Sequence, residues 1–94
     1  MTLILALDTS TRTGSLALRD ETGTVGLLTL SVALTHSQGL MPAADMLLRH
    51  AGRTVDDLTA VACVTGPGSY TGLRVGIATA QGLAYSRQLP CAGL

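Results

Sequence analysis

The chain has 94 residues, is 47% hydrophobic, carries zero formal net charge and contains no Phe, Trp or Lys. That length gives one small domain, or part of a larger one, burying roughly 60–65% of its unfolded surface around Leu, Val, Ala and Ile. The basic residues are Arg12, Arg19, Arg49, Arg53, Arg74 and Arg87, scattered rather than striped, which argues against direct nucleic-acid binding. No apolar run is long enough to span a bilayer, and Met1 to Leu7 is too short and lacks the basic flank of a secretory signal.

Leu3-Ile4-Leu5-Ala6-Leu7 is apolar on both faces, as in a central strand covered on two sides. Gly14 to Arg19 predicts a second strand, Asp20-Glu21-Thr22-Gly23 a hairpin turn, and Thr24 to Val32 the returning third strand. A helix follows, from Ser37 or Gly39 to His50, with Leu40, Ala44, Leu47, Leu48 and Ala51 at helical spacing and Gly52 as the stop. Pro42 fits a start near Gly39, where it falls in the first turn; a start at Thr35 would place a kink there. Thr54 to Leu58 reads as one capped turn, with Asp57 three residues after the Thr54 cap. A strand at Ala60 to Val64 then enters a glycine-rich loop, a second helix spans Val75 to Tyr85, and a last strand begins at Pro90 to Leu94. The order β-β-β-α-β-α-β implies an α/β fold with a mixed sheet.

Chemistry concentrates in two places. The loop Gly66-Pro67-Gly68-Ser69-Tyr70-Thr71-Gly72-Leu73-Arg74 joins a strand to a helix, presenting backbone N–H groups at a positive helix end, a geometry suited to a phosphate or carboxylate or to close backbone approach. It is neither a Walker A loop, since the chain has no Lys, nor a Rossmann fingerprint, since Thr71 occupies the third glycine position counted from Gly66. Asp8-Thr9-Ser10-Thr11 lies where the first strand ends. An acid with hydroxyls there can hold a hydrated metal or a phosphate, and the same residues also make ordinary turns.

The second helix carries small residues at every fourth position, Gly72, Gly76, Ala80 and Ala84. Two helical glycines cost about 1 kcal/mol each against alanine, so a second backbone must come close, either the chain's own sheet or first helix, or a subunit. His36 and His50, about 21 Å apart along one helix, cannot share a metal. Cys63 and Cys91 read as buried, reduced packing residues of a cytoplasmic protein; a disulfide would need neighbouring strands.

Three segments in order, Leu3 to Thr11, Thr35-His36-Ser37-Gln38-Gly39-Leu40-Met41-Pro42, and Gly66 to Ala84, resemble the TsaB (YeaZ) family of tRNA threonylcarbamoyladenosine biosynthesis proteins over nearly the whole chain. The resemblance implies an actin-like ATPase (ribonuclease H-like) fold of two related lobes, with residues 1–94 matching the N-terminal lobe and the second lobe absent, as in a fragment. It implies a non-catalytic subunit that pairs with and activates a TsaD-like enzyme. That enzyme threonylcarbamoylates the adenosine beside the tRNA anticodon, with a TsaE-like ATPase completing the assembly. ATP and Mg would be used by the full complex and not bound by this chain alone, tRNA would be reached only through the complex, and a homodimer could use a similar surface.

The partner contact implied is a four-helix bundle, here Leu40, Ala44 and Leu47 with Gly72, Leu73, Gly76, Ile77, Ala80, Leu83 and Ala84. Asp8, Thr9, Ser10, Gly66, Gly68 and Ser69 are the candidate phosphate or nucleotide contacts, and no residue is assigned a catalytic role. The alternative is an actin-like ATPase or an M22 glycoprotease-like peptidase using Asp8 and the glycine loop. Against it, the chain has neither the His-x-x-x-His metal pair of TsaD-like proteins nor an activated nucleophile.

Overall fold

A computed structural model describes residues 1–11, 13–30, 39–68 and 70–94. Its elements are β1 (Leu3–Asp8), β2 (Gly14–Asp20), β3 (Gly23–Leu30), α1 (Leu40–His50), a 3-10 turn (Val55–Asp57), β4 (Ala60–Cys63), α2 (Tyr70–Arg87) and β5 (Cys91–Gly93). The expected α/β order and mixed sheet are present. The sheet has five strands in the order β3-β2-β1-β4-β5. β1 pairs antiparallel with β2 and parallel with β4, β2 pairs antiparallel with β3, and β4 pairs parallel with β5.

Local chemistry accounts for the boundaries. The β2–β3 hairpin turns where the Asp20 carboxylate accepts hydrogen bonds from the Thr22 N–H at 2.8 Å and from the Thr22 hydroxyl. Gly23 follows at φ +124°, a backbone conformation that L side chains rarely adopt. α1 begins after Gly39, so Pro42 sits in the first turn, where its missing N–H has no intrahelical acceptor to lose. Arg49 and His50 in the last turn complement the helix dipole. The Asp57 carboxylate accepts from the Thr54 N–H at 2.8 Å, closing the expected capped turn.

α2 is the main departure in boundaries. It starts at Tyr70, five residues before the expected Val75, and runs to Arg87. Gly72 is thus a helical residue and not part of the loop, because tertiary contacts described below outweigh its poor helix propensity. The Thr35 to Gln38 portion of the family-like segment, His36 included, the helix start at Ser37, the strand end at Val32, Arg12 and Ser69 lie outside the described residues.

The core forms on one face of the sheet. Leu3, Leu5 and Leu7 of β1, Leu16 and Leu18 of β2, and Val61 and Cys63 of β4 are buried with Leu40, Ala44, Leu47 and Leu48 of α1 and Ala80, Leu83 and Ala84 of α2. α1 lies over β2 and β3, and α2 over β4, β1 and β5. Cys63 is buried, and β4 and β5 are neighbours, yet Cys91 is exposed and both thiols are free. The expectation that both cysteines are buried therefore holds for Cys63 alone: β5 is a three-residue edge strand exposed along its whole length. Among the described residues no helix is long and apolar enough to cross a membrane.

Candidate functional site

The two polar segments read separately from the sequence meet in the fold. β1 carries Asp8 to its C-terminal end, where the Asp8 carboxylate accepts from the Ser10 N–H at 3.0 Å and the Ser10 hydroxyl at 2.6 Å. This is an Asx turn, and it holds the chain in a tight bend directly off the strand. The glycine loop leaves the parallel neighbour β4 on the same side of the sheet. A Cβ added to Gly68 would lie 2.6 Å from Ser10 Cβ and 2.9 Å from the Ser10 carbonyl carbon. The loop backbone therefore rests against the bend, and any side chain at position 68 would keep them apart. Gly66 turns the chain at φ +144°.

Thr9 ties this junction to α2. It is 2% exposed, and its hydroxyl donates to the Gly72 carbonyl oxygen at 2.5 Å. A Cβ on Gly76 would come within 3.2 Å of Thr9 Cβ and 3.3 Å of Cγ2, and closer still to Oγ1. Gly72 and Gly76, one turn apart, thus form a notch into which Thr9 fits. The buried Gly72 supplies the acceptor that Thr9 needs in the interior. The early start of α2 follows from the same contact, since the Thr9 bond fixes Gly72 within the helix.

Of the six candidate phosphate contacts, Asp8, Thr9, Ser10, Gly66 and Gly68 lie at or beside this junction, and Ser69 lies outside the described residues. Thr9 must be corrected. Its hydroxyl proton is committed to Gly72 and its side chain is enclosed, so it serves as a strut between strand tip and helix and does not face an incoming anion. Ser10 likewise directs its hydroxyl proton to Asp8. Beside them Asp8 and Gly66 are half-buried and Pro67 and Gly68 are exposed.

The candidate partner face needs a larger correction. Leu40, Ala44 and Leu47 of α1 are 1%, 1% and 7% exposed, and Ala80, Leu83 and Ala84 of α2 are 0%, 6% and 2% exposed. These side chains are spent on the chain's own core. Ile77 is partly buried against the same core, Leu73 is half-buried, and Gly72 and Gly76 receive Thr9. The small-residue stripe is therefore the packing surface of α2 on its own sheet, which was the competing explanation of those glycines. At Gly72 and Gly76 the close neighbour is the Thr9 side chain at the tip of β1, not a second backbone.

Among the described residues, a different face of the helix pair is open. Ala78 and Gly82, also four apart on α2, are exposed, and a Cβ on Gly82 would meet no described residue within 4 Å. With Met41, Thr79, Leu83, Ser86 and Arg87 they line a groove of about 380 Å³ beside α1. Met41 and Met46 of α1 are 39% and 49% exposed, and Tyr85 of α2 is 88% exposed. Sequence reasoning missed this second pair because the longer Gly72–Ala84 series drew the inward face; the i, i+4 spacing of Ala78 and Gly82 was the available signal.

Comparison with known proteins follows the same lines. The family model described as "TsaD: tRNA N6-adenosine threonylcarbamoyltransferase" matches residues 17–94. The "tRNA threonylcarbamoyladenosine biosynthesis protein TsaB" of Escherichia coli is 41% identical over 91 residues, covering 97% of this chain and 39% of that protein. The TsaB protein of Bacillus subtilis is 38% identical over 87 residues, 93% of this chain and 38% of that protein. The solved "YeaZ from Pseudomonas aeruginosa" superimposes with a TM-score of 0.90 at 37% identity, over 100% of this chain and 44% of that one. The chain thus spans about two fifths of the length of the relatives it matches.

Proposed function

Because the chain belongs to the TsaD family as a homologue of TsaB (YeaZ), a group involved in threonylcarbamoyladenosine modification of tRNA, we propose that it is a non-catalytic subunit. In this reading it pairs with and activates a TsaD-like enzyme that modifies the adenosine next to the anticodon. A TsaE-like ATPase joins the assembly, ATP and Mg are used there rather than by this chain, and tRNA is met through the complex. The observation that carries the reading is the open groove over α2. Ala78 and Gly82 let a foreign helix approach closely, and Met41 with the outer edge of Leu83 supplies adaptable apolar contact. Contact at Gly82 replaces the Gly76 contact expected from the sequence, since Gly76 is occupied by Thr9.

The lack of a Lys anywhere in the chain and the commitment of the Thr9 and Ser10 hydroxyls support a binding role over an ATPase or peptidase role. The test is co-purification with TsaD. Gly82→Arg fills the groove from an open position, so the variant should melt within a few degrees of the parent, by about the scale of a surface change, and lose TsaD from the pull-down. Undiminished pairing by a folded Gly82→Arg chain overturns the assignment of this groove.

A further inference from the structure

The two cysteines lie on one face of the β4–β5 ladder. In the parallel register Cys91 stands opposite Val61, and Gly93 opposite Cys63. Side chains alternate along a strand, so Cys91 and Cys63 point to the same side of the sheet, on a diagonal. The pair is unequal in access. Cys63 is 3% exposed, whereas Cys91 sits on a three-residue edge strand exposed along its whole length. The two thiols also act on each other: burial first, and then the nearby Cys91 thiol, push the Cys63 pKa up. A two-residue diagonal between neighbouring strands spans about 8 Å between α-carbons. A disulfide spans at most roughly 6.8 Å, so closing one needs β5 to advance along β4 by roughly 2 Å. The fold leaves that path open. β5 ends the sheet at an edge, and a Cβ on Gly93 would lie 2.8 Å from Thr65 Cγ2, so a side chain there would block the advance. Leu94 marks the resting position: its N–H donates to the Cys63 carbonyl at 2.8 Å, and its carbonyl accepts from the Thr65 N–H at 3.1 Å and the Thr65 hydroxyl at 2.8 Å. Thr65 leads directly into Gly66 and the glycine loop.

We infer that Cys91 and Cys63 form an oxidative modification site, a dithiol that a low-molecular-weight disulfide closes into an intramolecular bridge. Exposed Cys91 reacts first. Its thiol loses a proton to solvent, and the thiolate attacks one sulfur of the small disulfide, whose S–S bond breaks. The other half leaves as a thiolate and takes up a proton. Cys63 then loses its proton and attacks the Cys91 sulfur of the mixed disulfide, forming the Cys63–Cys91 bond and releasing the second small thiol. Two protein thiols are oxidised by two electrons, and one small disulfide is reduced to two thiols. Closure draws β5 forward, parts Leu94 from Thr65 and loosens the entry to the glycine loop; reduction reverses it. The inference rests on the β4–β5 register and is independent of TsaD pairing.

The test incubates the folded 94-residue chain with oxidised glutathione and follows intact mass, non-reducing electrophoresis and amide exchange. The parent should become a monomer lighter by two hydrogen atoms, with no glutathione retained, and should recover its mass with dithiothreitol. Cys63→Ala should stop at the mixed disulfide, with glutathione held on Cys91, and Cys91→Ala should stay unmodified. In the bridged parent the Thr65 N–H should exchange about tenfold faster or more than in the reduced chain. A parent that keeps glutathione, or that forms a Cys91–Cys91 dimer, overturns the inference. So does a bridge that forms only in denaturant. Unchanged Thr65 exchange in the bridged chain overturns the connection to the glycine loop. The mass readout on the parent needs no substitution, so a poorly folding Cys63→Ala chain does not blunt it.

Discussion

Substituting alanine for glycine at two positions of α2 should move stability in opposite directions. On helix propensity alone, each change adds about 1 kcal/mol. At Gly82 the added methyl meets no described residue within 4 Å, so that gain should appear as a Tm rise of roughly 4–8 °C for a domain this size. At Gly76 the methyl would press on Thr9 Oγ1, with Thr9 Cβ and Cγ2 at 3.2 and 3.3 Å. Thr9 cannot swing aside, because it is 2% exposed and bonded to Gly72. Overpacking costs about 1–3 kcal/mol, and displacing the Thr9 hydroxyl leaves buried polar groups unpaired for about another 1–3 kcal/mol. After the propensity gain, Gly76→Ala should destabilise by about 1–5 kcal/mol, a Tm fall of at least roughly 4–8 °C. Urea and thermal unfolding followed by circular dichroism measure both variants. Thr9→Ala in the Gly76→Ala background should recover about 1–2 kcal/mol relative to additivity, since it removes the atoms in the way. A Gly76→Ala protein as stable as Gly82→Ala would refute the strut between β1 and α2.

Gly68→Ala presses on the backbone of Ser10 rather than on a side chain, so it should cost about 1–3 kcal/mol in the same melts; an unchanged melt would separate the loop from the strand tip. A maleimide at neutral pH should label the exposed Cys91 within minutes and Cys63 only in denaturant, because burial both encloses the Cys63 thiol and pushes its pKa up; equal labelling rates would contradict the β4 register. The Asp20 carboxyl is held below its ordinary value first by the Thr22 hydroxyl and then by the Thr22 N–H, with Arg53 adding a smaller pull. Its folded value lies below the unfolded one, so its contribution is complete above about pH 4 and is lost as pH falls through the folded value. Thr22→Val should therefore flatten the acid-side fall of Tm, and a parallel pair of Tm curves would exclude this turn as a source of acid sensitivity.

The succession of strands and helices along the chain was legible because local signals agreed. β1 reads as central from its apolar run and is so, although only its Leu3, Leu5 and Leu7 face is fully buried and not both faces as expected; Gly52 marks the end of α1, and the Asp20–Gly23 turn fixes the hairpin. The start of α2 was not legible. Tyr70, Thr71 and Gly72 carry weak helix signals, and the contact that holds Gly72 in the helix comes from Thr9, far away in sequence. Exposure of Cys91 was hidden for a related reason: an apolar run looks the same on an edge strand as on a central one. At the site, the sequence singled out the Asp8–Thr11 segment and the glycine loop separately, and could not say that the Gly68 backbone rests on that of Ser10.

The periodic stripe marks the limit of such reading most clearly. Small residues at every fourth position show that something approaches closely, and they are silent on whether it is the same chain. The answer depends on which face of α2 lands on the sheet, and that is set by Ala80, Leu83 and Ala84 entering the core beside Leu3 and Leu5. Once they are inside, Gly76 must turn toward β1 and Ala78 and Gly82 must turn outward. One helix then has two sets of small residues with different consequences. The inner set fixes the strand tip through Thr9, so changes there should be read in stability. The outer set leaves stability free to rise with alanine, so changes there should be read in binding to a partner. A bulky group at Gly82 that weakens both, or one at Gly76 that weakens neither, would show that the two faces had been assigned the wrong way round.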